Sequence, residues 1–255
     1  ALALHLKSAT LGLLGWGGAA SDMAVQTLGR SGFQVSRRHS LFFPIASLLL
    51  LFLTIAGFWD NLFTDVGQPS NSDPKFIVHG LFCGSWMIAL LAQSLLVSRG
   101  NVRLHRKLGM FALVAAIGVA LSTIWVFVVV WKGWALMTPE VRANRLLLPS
   151  YALFVGLGYR FRRAPEQHKR FMYTGTLFML EPILARAYDR LLVPFMTGLT
   201  EAQIDAVFLP TLFAVWVSFF LALFAYDWAL ARRVQAVTAG ALLWFASIWA
   251  IVLAT

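Results

Sequence analysis

From residue 41 onward the chain alternates long apolar runs with short polar stretches. A helix crossing about 30 Å of hydrocarbon needs about 20 mostly apolar residues. Seven runs approach that length: Leu41 to Phe58, Phe76 to Val97, Leu108 to Trp131, Leu146 to Tyr159, Phe171 to Val193, Leu209 to Leu230 and Val234 to Leu253. They are continuous rather than alternating and rich in Leu and Ala, which argues for helices and against strands. The fourth is short, but Arg145 and Arg160 flank it, and long arginine stems reach both interfaces. The fifth contains Glu181 and Pro182. The missing proline amide frees the carbonyl of Phe178 and predicts a kink. Thr200 is expected to cap a short surface helix in the loop before the sixth run. The pattern predicts an all-α polytopic transmembrane bundle of seven spans over residues 41–255. Residues 1–40 form an N-terminal cytoplasmic or surface segment.

Composition supports the membrane reading. Hydrophobic residues make up 59% of the chain and charged residues 13%, whereas soluble domains run near ~45–50% and ~25%. The formal net charge of +10 would point to nucleic acid in a soluble protein. Sorted by predicted loop, it separates instead. One side carries 15 of the 21 basic residues and three acids, a net +12; the other carries six basic residues and eight acids, a net −2. The positive-inside rule then places the N-terminus in the cytoplasm and the C-terminus outside. Nucleic acid drops out as a partner, and anionic lipid on the cytoplasmic side takes its place. The single cysteine, Cys83, excludes an intrachain disulfide and a CxxC site.

Ionisable groups inside spans are costly and mark candidate sites. Depth at 1.5 Å per residue puts Glu181 about 15 Å and Arg186 about 22 Å into the fifth span, with His79 about 5 Å from the outer surface. His79, Glu181 and Arg186 are therefore candidates for a polar pocket opening outward. Asp227 is expected to pair locally with Arg232. On the second span His79, Trp86 and Gln93 recur every seven residues and share a stripe. Gly80 and Gly84 form a GxxxG pair suited to close helix approach. His105 and His168 start the third and fifth spans at similar depth on the cytoplasmic side. Two histidines on different helices are the minimum for a bis-imidazole haem b or a metal, and the surrounding arginines and lysines suit haem propionates as well as lipid phosphates.

At these residues the chain resembles a family of uncharacterised bacterial multispanning inner-membrane proteins. The resemblance rests on H-R-x-L-G (His105 to Gly109), H-K-R-x-M (His168 to Met172) and P-x-x-x-R (Pro182 to Arg186). It implies a multi-pass protein of the bacterial inner membrane. The layout is also distantly similar to membrane cytochromes b, which hold haem between histidines of adjacent spans. This chain has only one outer histidine and so departs from the two-haem pattern. No Ser-His-Asp, HExxH, P-loop or GxGxxG arrangement is present, which argues against soluble-type catalysis. The first expectation is an accessory, assembly or structural subunit of a larger respiratory or photosynthetic membrane complex. The alternative is a haem- or quinone-binding redox protein, and the third is a small-molecule or ion transporter.

Overall fold

A computed structural model describes residues 41–255. The expectations for residues 1–40, including the segment's cytoplasmic placement, lie outside the described residues. Secondary structure among the described residues is helical throughout, without strands. The helices are α1 (Phe42–Gly57), α2 (Pro69–Ser72), α3 (Pro74–Ser98), α4 (Val102–Val129), α5 (Pro139–Arg160), α6 (Pro165–Leu177), α7 (Glu181–Leu191), α8 (Glu201–Ala231) and α9 (Ala236–Ala254).

Local chemistry sets these boundaries. Asp73 accepts from the Lys75 amide and Pro74 opens α3, a position where a missing amide is harmless. Asn101 accepts from the Leu104 amide at the start of α4. Between them Gly100 takes φ +76°, a left-handed conformation that favours glycine, and the two long helices fold back as a hairpin. Thr200 and Gln203 form a reciprocal capping box. They cap the 31-residue α8 itself, so the expected short surface helix does not exist as a separate element.

Four helices, α3, α4, α8 and α9, are long and apolar enough to cross a membrane. The chain is a multi-pass helical protein embedded in a membrane. The other three predicted spans differ from expectation. Helix α1 is apolar but only 16 residues long. Helix α5 is 22 residues long, but Glu140, Arg142 and Arg145 occupy its first two turns. The fifth predicted span is not one helix. It stops at Leu177 and restarts at Glu181, giving pieces of 13 and 11 residues.

Pro182 causes that break, because its ring nitrogen has no hydrogen for the Phe178 carbonyl. The chain tightens into i to i+3 bonds instead: the Phe178, Met179 and Leu180 amides donate to the Gly175, Thr176 and Leu177 carbonyls. The Trp216 indole on α8 donates a further bond to the Leu177 carbonyl at 2.8 Å. Phe178, Met179 and Leu180 are buried, so this irregular backbone survives at depth by being covered by protein. An aromatic cluster of Phe178, Phe213, Trp216, Phe220, Phe245 and Trp249 packs around it. The close helix approach expected at Gly80 and Gly84 is absent, since nothing lies within 4 Å of a side chain added at either. In the α3–α4 hairpin it falls at Gly118, whose open face receives the Phe82 ring.

Candidate functional site

The loop ends of the bundle sort into two chemically different sets. One gathers Arg99, Arg103, Arg106, Arg160, Arg162, Arg163, Arg232 and Arg233 and is called the arginine-rich end. The other holds Glu181, Arg186 and Arg190.

At the arginine-rich end Arg170, on α6, is 1% exposed and Asp227, on α8, is 0% exposed. The guanidinium donates through Nε and Nη2 to Asp227 Oδ1 at 2.8 and 2.5 Å. Its Nη1 donates to the Glu166 carbonyl and carboxylate at 2.6 and 2.7 Å. Asp227 Oδ2 accepts from the Thr238 hydroxyl at 2.6 Å and from the Gln235 amide at 3.1 Å. One network thus joins α6, α8 and α9. It corrects the expected local pair: Asp227 is bound to Arg170, 57 residues away, and not to Arg232. In the sequence Arg170 stands among basic residues before an apolar run, and only that neighbouring run hints at burial. Glu166 lies at the rim. Burial raises its pKa, but the Lys169 ammonium and Arg170 guanidinium outweigh that and hold its carboxyl below the usual range.

His105 and His168 meet at the same end. Their ring centroids lie 6.2 Å apart at an interplanar angle of 80°. His168 Nδ1 lies 2.8 Å from the Gly158 carbonyl. A carbonyl only accepts, so Nδ1 carries the hydrogen and Nε2 of the neutral ring is a lone pair. His105 Nδ1 is buried without a hydrogen-bond partner, and so is Gln93 Oε1. The Gln93 backbone carbonyl faces the His105 ring. Two imidazoles, from α4 and α6, therefore meet, one with a buried, unpartnered Nδ1 and the other bonded through its Nδ1 to a backbone carbonyl. Imidazole nitrogens sharing one metal at about 2.0–2.1 Å each put their ring centroids roughly 6 Å apart when the two bonds oppose. The convergence matches that spacing.

The expected outer pocket of His79, Glu181 and Arg186 does not assemble. His79 faces Ser122 on α4, with Nδ1 and Oγ 3.0 Å apart. Glu181 is 4% exposed and accepts from the Asn144 amide of α5. Asn144 Oδ1 is buried and unpartnered. Arg186 is exposed: it reaches Asn61 Oδ1 at 3.2 Å and lies over the Phe58 ring. The helix break between Leu177 and Glu181 interrupts the run that carries Glu181 and Arg186. Arg186 instead lines a cleft of about 610 Å3 with Gly57, Asp60, Asp189, Arg190 and Phe195. Arg190 closes one wall by an ion pair with Asp60 at 2.6 Å.

Along the predicted stripe on α3, Trp86 is buried and donates to the Thr176 hydroxyl at 3.2 Å. Gln93 ends at the histidine pair, and His79 begins a separate polar cluster near the other end. Among the described residues no three His, Cys, Asp or Glu side chains gather as a metal cluster. No protein-family model, no curated protein and no solved structure matches the chain.

Proposed function

We propose that this membrane protein holds a transition-metal-centred group, an iron porphyrin or a single ion, between His105 and His168. The observation that carries the reading is the meeting of the two rings, one of which, His105, has a buried Nδ1 without a partner. Ligating histidines commonly give their other N–H to a carbonyl or carboxylate, as His168 does to Gly158. The basic residues nearby, Arg103, Arg106 and Lys169, suit a porphyrin's propionates. A redox role for the protein follows from such a group.

The topology belongs to the same proposal. Seven crossings are reached if α1 and α5 span with the help of flanking arginines and if α6 and α7 together make one broken crossing. The arginine-rich end then faces the cytoplasm of a bacterial cell, against anionic lipid, and the C-terminus lies outside. A second reading, an accessory subunit of a larger membrane complex, draws on the outward apolar face of α4. Phe111, Val114, Leu121 and Val128 are all exposed there, a surface that a partner helix or lipid covers.

Purification in mild detergent after growth with iron and a haem precursor tests the proposal. A Soret band with stoichiometric iron, lost in His105→Ala and in His168→Ala, identifies porphyrin. Stoichiometric metal without a Soret band identifies a single ion. A colourless, metal-free protein, or metal retained in both variants, overturns the site. Native mass in lipid nanodiscs reads the subunit question separately.

A further inference from the structure

A groove of about 320 Å3 between α5 and α9 lies apart from the histidine pair and from the cleft at Arg186. Its lining includes Arg145, Pro149, Ser150, Leu153, Trp244 and Ile251. Arg145 stands near the start of α5 and Ile251 near the finish of α9, so the groove runs from that end toward the arginine-rich end. Arg145 to Leu153 is eight residues of helix, about 12 Å. The polar groups in its depth have given up their hydrogens. The Trp244 indole crosses to α5 and donates to Ser150 Oγ at 2.9 Å. The Ser150 hydroxyl donates to the Leu146 carbonyl at 2.7 Å, and that of Ser247 to the Leu243 carbonyl at 2.8 Å. Leu153, Trp244 and Ile251 are each about half exposed. Beyond Arg145 the groove therefore offers a ligand apolar contact and no free donor.

The head of the groove is different. Arg145 Nη1 donates to the Phe127 carbonyl at 2.9 Å, an acceptor that the end of α4 leaves without a helical donor. The guanidinium lies 4.1 Å over the Phe127 ring and 5.5 Å from the Trp131 ring. Trp131 is exposed at the finish of α4, and tryptophans at span ends mark the level of lipid headgroups. Arg145 Nε is enclosed without a partner, while Nη2 makes no hydrogen bond and is not enclosed. Among the described residues no carboxylate lies within ion-pair distance of Arg145. A cation at an apolar boundary without a counter-charge is costly, and an anion that reaches it is held.

We propose that this groove is a binding site for an anionic phospholipid, with the phosphate on Arg145 and one acyl chain lying along α5 and α9 as far as Trp244. An unpaired guanidinium at headgroup level and an apolar channel running inward from it are the two halves of one amphiphile's complement. The planar guanidinium suits a phosphate oxygen better than an ammonium does, and Nη2 is the nitrogen left to bond it. The missing carboxylate sets the sign of the headgroup: a lipid of net negative charge neutralises Arg145, whereas a zwitterionic one brings a second cation beside it. The Trp244–Ser150 hydrogen bond ties the two walls together, so the groove stands ready before the lipid arrives.

The test uses the full chain in phosphatidylcholine nanodiscs doped with chain-brominated lipid, which quenches tryptophan on contact. The Trp244 signal is the wild-type emission minus that of Trp244→Phe. Brominated phosphatidylglycerol should quench that signal with about fivefold higher affinity than brominated phosphatidylcholine, and Arg145→Gln should remove the preference. Ser247→Phe puts a ring into the groove, keeps the guanidinium, and should lower quenching by both lipids. Arg162→Gln, at the arginine-rich end, should leave both unchanged. Equal quenching by the two lipids in the wild type overturns the proposal, and that comparison holds even if Arg145→Gln fails to fold. A preference that survives in Arg145→Gln, or stronger quenching by a brominated fatty acid than by phosphatidylglycerol, overturns it as well. So does a native mass of two chains with Trp244 shielded from every lipid, which gives the groove to a second copy. None of these readouts depends on His105 or His168, so this site and the histidine pair stand or fall separately.

Discussion

The two halves of the broken helix bury opposite charges and resolve them in opposite ways. On α6, Arg170 makes four hydrogen bonds, and its partner Asp227 accepts two more. On α7, Glu181 is buried nearly as deeply but has one amide donor, and that amide's own oxygen is unpartnered. Among the described residues no lysine or arginine nitrogen lies within ion-pair distance of Glu181. Buried charge is tolerated when it is paired and hydrogen-bonded, and is expensive otherwise. The difference teaches that Arg170 and Asp227 are locked by their polar network, whereas Glu181 is held by packing beside an amide left short of a partner.

The largest expected effect breaks the locked half. Asp227→Leu or Arg170→Met strands one buried charge and should cost about 3–5 kcal/mol, read as loss of thermal or SDS resistance in detergent. The double variant removes both charges and should be less destabilised than either single one. A double variant as damaged as the sum of the two would mean that the network fixes more than charge. Next comes packing on the same half. A methyl group on Gly175 would stand 2.9 Å from Val155 Cγ2 and 3.2 Å from the Val155 amide nitrogen, so Gly175→Ala should cost about 1–3 kcal/mol. Gly80→Ala, with open space around it, should stay within about 0.5 kcal/mol. Equal effects in the two glycine variants would show that α5 and α6 are not as tightly joined as the distances require.

On the other half the expected changes are smaller. Glu181→Gln keeps the shape and removes the charge, and should shift stability by less than about 1 kcal/mol. A loss as large as that of Asp227→Leu would mean that Glu181 has a charged partner, and the contrast would fail. Arg186→Leu and Arg190→Leu act on exposed contacts with Asn61 and Asp60 and should each cost less than about 1 kcal/mol. The smallest effect is acid sensitivity from Glu166. Its folded pKa lies below the ordinary value, so its contribution is full above about pH 4.3 and fades as pH falls through the folded value. Glu166→Gln should flatten the stability profile in that acid range and leave it unchanged near pH 7.

The apolar pattern carried the helices of the hairpins well. Predicted runs at Phe76 to Val97 and Leu209 to Leu230 fall inside α3 and α8, and those at Leu108 to Trp131 and Val234 to Leu253 overrun α4 and α9 by two residues each, because long continuous runs leave a helix no rival conformation in lipid. Thr200 was legible as a cap, though not as the cap of so long a helix, since a cap signal fixes where a helix starts and says nothing of where it ends. His105 and His168 could be matched by depth, and the chain does bring them together. The outer trio could not, because depth along an axis carries no information about which helix face points where, and Pro182 broke the helix itself.

Sequence alone determined that this chain is helical and lives in a membrane, and that its basic residues cluster on alternate loops. Those properties are additive along the chain: each residue contributes its own transfer energy and charge, whatever its neighbours in space. The tertiary structure decided the partners. It decided that Arg170 meets Asp227, that Glu181 stands almost alone, and that Cys83 lies against the His79 ring. Such pairings depend on helix rotation, and a shift of one residue around a helix turns a side chain by 100°. A linear pattern does not fix that angle, and packing between helices does.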